Sequence, residues 1–139
     1  MPANTQFSIA VHLMAGLGHG SAAEATSARL ASSVNTSPSF VRRIIAKLSK
    51  AGLVTTTFGK AGTCRLAWDP DEISLLDIYQ AVDPPKSFAI HDYPEQKQCP
   101  VSCNIRSSMT RVLDRTQRSF EKSLADITLA DLIGDLEGT

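Results

Sequence analysis

The sequence predicts a mainly α-helical protein with one small β-hairpin, followed by a long C-terminal helix. Three observations carry that prediction. Apolar residues recur three and four apart through most of the chain, the spacing of one helix face. Two β-rich runs, LVTTTFG and TCRLAW, flank Gly59-Lys60-Ala61-Gly62, the pattern of a hairpin with a glycine-containing basic tip. From Asn104 one periodic stretch then continues to about Leu124. A chain of 139 residues can hold one domain with an appended element and can bury a real core.

Residues 4–17, NTQFSIAVHLMAGL, place Phe7, Ala10, Val11 and Met14 on one stripe, with Ile9 and Leu13 beside it. Asn4 or Thr5 is the expected N-cap, and the glycines of GLGHGS end the pattern. TSARLASSV is a second helix, capped by Thr26, with Leu30, Ala31 and Val34 inward. In TSPSFVRRIIAKLSKAG, Ser37 caps a third helix and Pro38 suits its first turn, where a missing N–H is harmless. Phe40, Val41, Ile44, Ile45 and Leu48 form its buried face, and Gly52 ends it. After the hairpin, DPDEISLLDIYQAV is expected as one helix opened by an acidic turn. DPPKSFAIHDYPEQKQCP, with its prolines, is expected to be irregular. The long helix carries one apolar stripe, Ile105, Met109, Val112, Leu113, Phe120, Leu124 and Ile127, suited to packing against another protomer. The tail ADITLADLIGDLEGT reads as a short final turn with frayed ends.

Formal net charge is zero, yet the charges are segregated. Ala25 to Trp68 holds seven Lys or Arg and no Asp or Glu, whereas Asp69 to Glu95 holds seven acids and one base, Lys86. A basic third inside a neutral chain points to a polyanionic partner for that third alone. Helix, helix, turn, helix with a basic face, then hairpin, is the order of a winged helix-turn-helix. Such a helix fits the major groove of duplex DNA. Arg42 and Arg43, one turn from the capped N-terminus, carry forks that match a guanine edge. Ser37 and Ser39 can donate to phosphate, and Lys47 and Lys50 read as phosphate contacts. Lys60 and Thr63 belong to the wing.

The chain resembles the Rrf-two family of bacterial winged-helix regulators over nearly its whole length. The resemblance is carried by FSIAVHLMAGL, SPSFVRRIIAKLSKAGLV, GKAGTCRLA, DEISLLDIYQAV and ITLADL. It implies a homodimer that crosses its long helices and presents two recognition helices to a palindromic operator, as a repressor and not an enzyme. Ser37, Ser39, Arg42 and Arg43 would then touch DNA, and Gly59, Lys60, Gly62 and Thr63 would form the wing. The expected division is a DNA-binding domain over 1–85, a sensor loop over 86–103, and a dimerisation helix with its tail over 104–139. Ile105, Met109, Val112, Leu113, Phe120 and Leu124 would form the dimer seam.

The expected sensor loop contains EQKQCPVSCNI. Relatives that hold an iron–sulfur cluster present three cysteines there, five or more residues apart. This chain has Cys99 and Cys103 alone in the loop, and Cys64 in the wing strand. A cluster takes four ligands, mostly thiolates, so no cofactor and no metal is expected. A thiol switch at Cys99, Cys103 and Cys64 is the redox expectation, with Cys103 just ahead of a helix N-terminus, whose dipole favours a thiolate. Small residues packed beneath a loop are the alternative for these cysteines. For the whole chain the alternatives are an iron–sulfur regulator with non-standard ligands and a winged-helix protein-interaction module. His12 reads as a core-edge residue. Trp68 and Tyr79 are expected to pack the wing on the fourth helix, or to line an effector pocket. No apolar run approaches the roughly 18 residues of a membrane span, and the N-terminus lacks a secretory pattern, so a cytoplasmic protein is expected.

Overall fold

The computed structural model describes residues 5–19, 25–57, 63–82, 84 and 88–137. The chain forms two compact units, one of Met1–Pro84 with Leu124–Thr139, the other of Pro85–Ser123.

The first unit begins with α1 (Gln6–Gly18), which buries Ala10, Leu13, Met14, Ala15 and Leu17. Thr5 occupies its N-cap without a side-chain bond. A two-residue strand, β1 (Ala25–Thr26), leads into α2 (Ser27–Val34). The Thr26 hydroxyl accepts from the Arg29 N–H, as a capping threonine should. Asn35 ends α2 in the left-handed region, φ 57°, a conformation asparagine tolerates, and its N–H closes back on Ala31 and Ser32. This bend is the turn of the helix-turn-helix. Helix α3 (Pro38–Lys50) follows, with the Ser37 hydroxyl accepting from the Phe40 N–H and Pro38 at its start. It buries Val41, Ile44, Ile45 and Leu48. Gly52 then takes φ +81°, where a side chain would be strained, and turns the chain into the hairpin.

Strands β2 (Val54–Thr56) and β3 (Thr63–Leu66) are antiparallel, and β1 adds to the other edge of β3. The sequence indicates only a two-stranded hairpin. A two-residue strand has no room to show alternation, and it forms because Ala25 and Thr26 meet the free edge at Cys64 and Thr63. Gly59, Lys60 and Gly62, the expected wing tip, lie outside the described residues.

The expected fourth helix is divided. Pro70–Glu72 makes one 3₁₀ turn, Ile73 is extended and buried, and α4 (Leu75–Val82) starts afresh. The break has a local cause. Ser74 and Asp77 cap each other reciprocally, at 3.1 Å from the Asp77 N–H to the Ser74 hydroxyl and 3.0 Å from the Ser74 N–H to the Asp77 carboxylate. Tyr79 packs edge-on against Phe7 of α1, ring centres 5.8 Å apart. Trp68 is 57% exposed, its indole N–H donating to the Gly52 carbonyl at 3.0 Å.

The C-terminal segment corrects a second expectation. It is no frayed end but a helix, α6 (Leu129–Glu137), opened by a second reciprocal cap between Thr128 and Asp131. Leu129 and Ile133 enter the core of the first unit. Residues 127–129 also pair with 73–75, the Leu75 N–H donating to Ile127 and the Leu129 N–H to Ile73. Ile127 therefore lies in this junction and not on the long helix. Leu124, expected in the dimer seam, packs against the same core. Gly18 makes room for α6, since a methyl group there would come within 2.7 Å of the Ile133 Cδ1.

The second unit is built on α5, a helix spanning Pro100–Ala125 and about 39 Å long. It starts four residues earlier than the sequence reading has it. Pro100, read as part of an irregular loop, occupies the first helical position, where proline is favoured. The preceding loop folds back on the first two turns. Tyr93 donates its hydroxyl proton to the Ser102 carbonyl at 2.8 Å, and the Arg106 guanidinium lies over the Tyr93 ring and donates to the Tyr93 carbonyl. His91 stacks on the same ring at 4.9 Å. None of the residues of α5 is buried, and Met109, Val112 and Phe120 are 37%, 53% and 42% exposed.

Candidate nucleic-acid interface

Helix α3 separates its two faces cleanly. Its apolar side is buried against the core, and Ser39, Arg42, Arg43 and Lys50 are exposed on the other. Proline and the serine cap fix where the helix begins, so the arginines fall one turn in. The Arg43 guanidinium sits 5.2 Å above the Phe40 ring, a cation–π contact that limits its swing while leaving donors outward. The Ser37 and Ser39 hydroxyls lie 3.3 Å apart beside the helix N-terminus. Since Ser37 accepts from Phe40 with a lone pair, its proton remains available as a donor. Ala28, Ser32, Asn35, Thr36, Ser37 and Pro38 line a shallow depression of about 370 Å³ next to that N-terminus. Small polar side chains with helix N–H groups suit a phosphate backbone.

Two further expected contacts are tied into the fold. The Lys47 ammonium donates to the Gln6 side-chain oxygen at 2.9 Å and to the Val82 carbonyl at 3.3 Å, so it is held at the edge of α3 by α1 and α4. Thr63 stands at the base of the wing. Its N–H donates to the Thr57 hydroxyl, the two hydroxyls lie 2.9 Å apart, and its carbonyl accepts from the Thr57 N–H. These bonds close the hairpin. Lys60 is outside the described residues. A cation absent from the expected set, Arg65, is exposed on β3 and donates to the Thr55 hydroxyl at 3.4 Å. Alternation was the available signal: Cys64 points inward, so Arg65 points out.

The three thiols differ. Cys64 is buried, and burial pushes its thiol up from 9.0 to about 11. It stays protonated at neutral pH and is shielded from oxidants, which removes it from the expected switch. Cys99 is exposed and occupies the N-cap position of α5, its sulfur accepting from the Ser102 N–H at 3.4 Å. Cys103 does not precede α5 but lies in its first turn, half-buried, donating to the Gln96 carbonyl at 3.2 Å. The Gln96 N–H is held in turn by the Ser102 hydroxyl. An iron–sulfur cluster calls for four ligands, mostly thiolates. Among the described residues the one group of three potential ligands within reach of one another is Asp69, Asp71 and Glu72, exposed carboxylates without a thiol. Cys99 and Cys103 alone do not fit a cluster.

His12 bridges α1 to α2, its Nε2 lying 3.1 Å from the Ser33 hydroxyl oxygen. Among the described residues no helix is long and apolar enough to cross a membrane.

Comparison with known proteins agrees with this geometry. The Rrf2 family model, described as an iron-dependent transcriptional regulator, matches residues 3–135. YwnA of Bacillus subtilis, classed as an HTH-type transcriptional regulator, is 37% identical over 135 residues, covering 96% of this chain and 98% of YwnA. A Lactobacillus plantarum protein classed as a transcriptional regulator superposes with a TM-score of 0.77 at 30% identity, over 96% of this chain and 90% of its own. IscR of T. potens superposes with a TM-score of 0.67 at 25% identity, over 98% and 88%. The chain therefore belongs to the Rrf2 family of winged-helix transcriptional regulators.

Proposed function

We propose that the protein is a cytoplasmic, homodimeric repressor that binds a palindromic operator, and that it responds to thiol oxidation at the start of α5. The observation that carries the DNA reading is the outward face of α3. Ser39, Arg42, Arg43 and Lys50 stand together on it, within a 44-residue stretch free of acids. The exposed apolar stripe of α5 supports the dimer, because a 26-residue helix with no buried residue needs a partner to cover it. Two-fold symmetry then brings two recognition helices to two half-sites about one helical turn of DNA apart, roughly 34 Å. Neither a cofactor nor an enzymatic role enters this reading.

Cys99 and Cys103 stand one helical turn apart, about 6 Å between α-carbons, within disulfide range. A peroxide supplies the oxidant. The Cys99 sulfur attacks the peroxide O–O bond, becoming a sulfenic acid and releasing water. The Cys103 sulfur then displaces the sulfenic oxygen as a second water, so two electrons pass from the thiols to peroxide and one disulfide forms. That step ends the Cys103 bond to the Gln96 carbonyl and draws the Cys99 sulfur from the Ser102 N–H. The loop then loses two of its ties to α5.

Selection of bound duplexes from a random pool, with reduced and peroxide-treated protein, tests both parts. A consensus with two-fold symmetry and weaker retention after oxidation is expected. Binding without sequence preference would overturn the operator reading. Equal retention in both redox states, and in Cys99→Ser and Cys103→Ser, would overturn the thiol reading alone.

A further inference from the structure

Lys47 sits at the margin of the recognition helix. It shares a stripe with half-buried Phe40 and buried Ile44, seven and three residues away, so its stem runs along the apolar border of α3. Its ammonium meets two helix ends. Gln6 is the first residue of α1, and Val82 is the last residue of α4, with its side chain fully buried. The last carbonyls of a helix have no partner within it and carry its negative pole. Helix α4 has no basic residue of its own in its last turn. Lys47 therefore supplies the cation that this end lacks. Beyond Val82 the chain runs on toward the loop that holds Cys99 and Cys103.

We propose that Lys47 is a positioning residue for DNA recognition: its bonds to Gln6 and Val82 set the tilt of α3 against the two helix ends, and it is not a phosphate contact. The inference rests on the operator-binding reading above. A phosphate contact and a positioning bond leave different signatures. Each phosphate neutralised by a cation adds about 0.9 to the slope of log affinity against log salt. A positioning bond adds nothing to that slope. It governs how α3 of one protomer docks, so its loss weakens binding to a single half-site and, through two protomers, weakens a full palindrome further.

The experiment measures affinity for the selected palindrome and for one isolated half-site, across a salt series, in the full-length protein. Lys47→Met keeps the apolar stem and removes the ammonium. Gln6→Met removes one partner and leaves the lysine charge in place. Lys50→Ala serves as the phosphate-contact reference. Lys50→Ala should lower the salt slope by about 0.9 on the half-site and by about 1.8 on the palindrome, where two protomers each lose a contact. Lys47→Met should keep the wild-type slope, lose about threefold on the half-site and about tenfold on the palindrome, where two protomers bear the loss. Gln6→Met should move the same way by a smaller factor, and it carries the test if Lys47→Met does not fold. A slope lowered in Lys47→Met as in Lys50→Ala would overturn the proposal in favour of a phosphate contact. No loss on either duplex would also overturn it. If the wild-type protein binds neither duplex in a salt-dependent way, the operator reading itself has failed, which the wild-type series alone reveals.

Discussion

Arg42 and Arg43 are neighbours in sequence but are held differently. Arg43 leans on the Phe40 ring, whereas Arg42 stands exposed on the same side of α3. Each presents a planar fork that a lysine could not replace. Replacing either with alanine should weaken binding to the selected operator by about 1–3 kcal/mol and relax base preference at one position, read by gel shift on single-base variants of the site. Cys64 makes the opposite kind of residue-scale prediction. Its thiol is raised by burial from 9.0 to about 11. The unfolded chain loses this proton near 9, before the folded protein does. The stability it contributes is therefore complete below pH 9 and is lost as pH rises through 11. Cys64→Ala should flatten the fall in melting temperature across that window. At pH 8 an alkylating reagent should label Cys99 and leave Cys64 unmodified until the protein unfolds.

At the scale of elements, the two reciprocal caps decide where helices begin. Ser74 with Asp77, and Thr128 with Asp131, follow one pattern, a hydroxyl and a carboxylate three residues apart. Both were present in the sequence. The first was hidden by the acidic turn ahead of it, which reads as the start of the same helix. The second was hidden because the tail is short and a glycine, Gly134, interrupts it. The placement of α6 depends on that second cap and on the space left by Gly18. Asp131→Ala should lower stability by about 1 kcal/mol through the lost cap. Gly18→Ala should cost less, under about 1 kcal/mol, because the Ile133 Cδ1 it meets is the end of a side chain that can turn aside. Thermal unfolding checks both. Helix α5 shows the reverse error: its proline was legible, but a loop rich in prolines disguised the one that begins a helix.

At the scale of the molecule, the segregated charge locates function more firmly than any single motif. The acid-free stretch contains all of α2, α3 and the hairpin strands, and α3 turns its apolar residues to the core, so Arg42, Arg43 and Lys50 are left facing outward. The apolar stripe of α5 asks for a partner of a different kind. A charge in that stripe would have no counter-ion in an apolar seam. Val112→Glu should convert the proposed dimer to monomer by sedimentation velocity and lower affinity for the full palindrome, while the melting behaviour of the first unit is retained.

Periodicity, capping residues and charge order were enough to determine the fold class, helix α3 and its outward arginines, because each depends on residues within a turn or two of one another. The tertiary structure decided what depends on distant residues. Strand β1 exists because the edge of β3 is available to it, and α6 is core because α1 ends in a glycine that admits it. Lys47 became a tie between helix ends because Gln6 and Val82, 41 and 35 residues away, converge on its ammonium. Cys64 left the set of reactive thiols through burial alone. No local pattern encodes such meetings, since they follow from how whole elements pack.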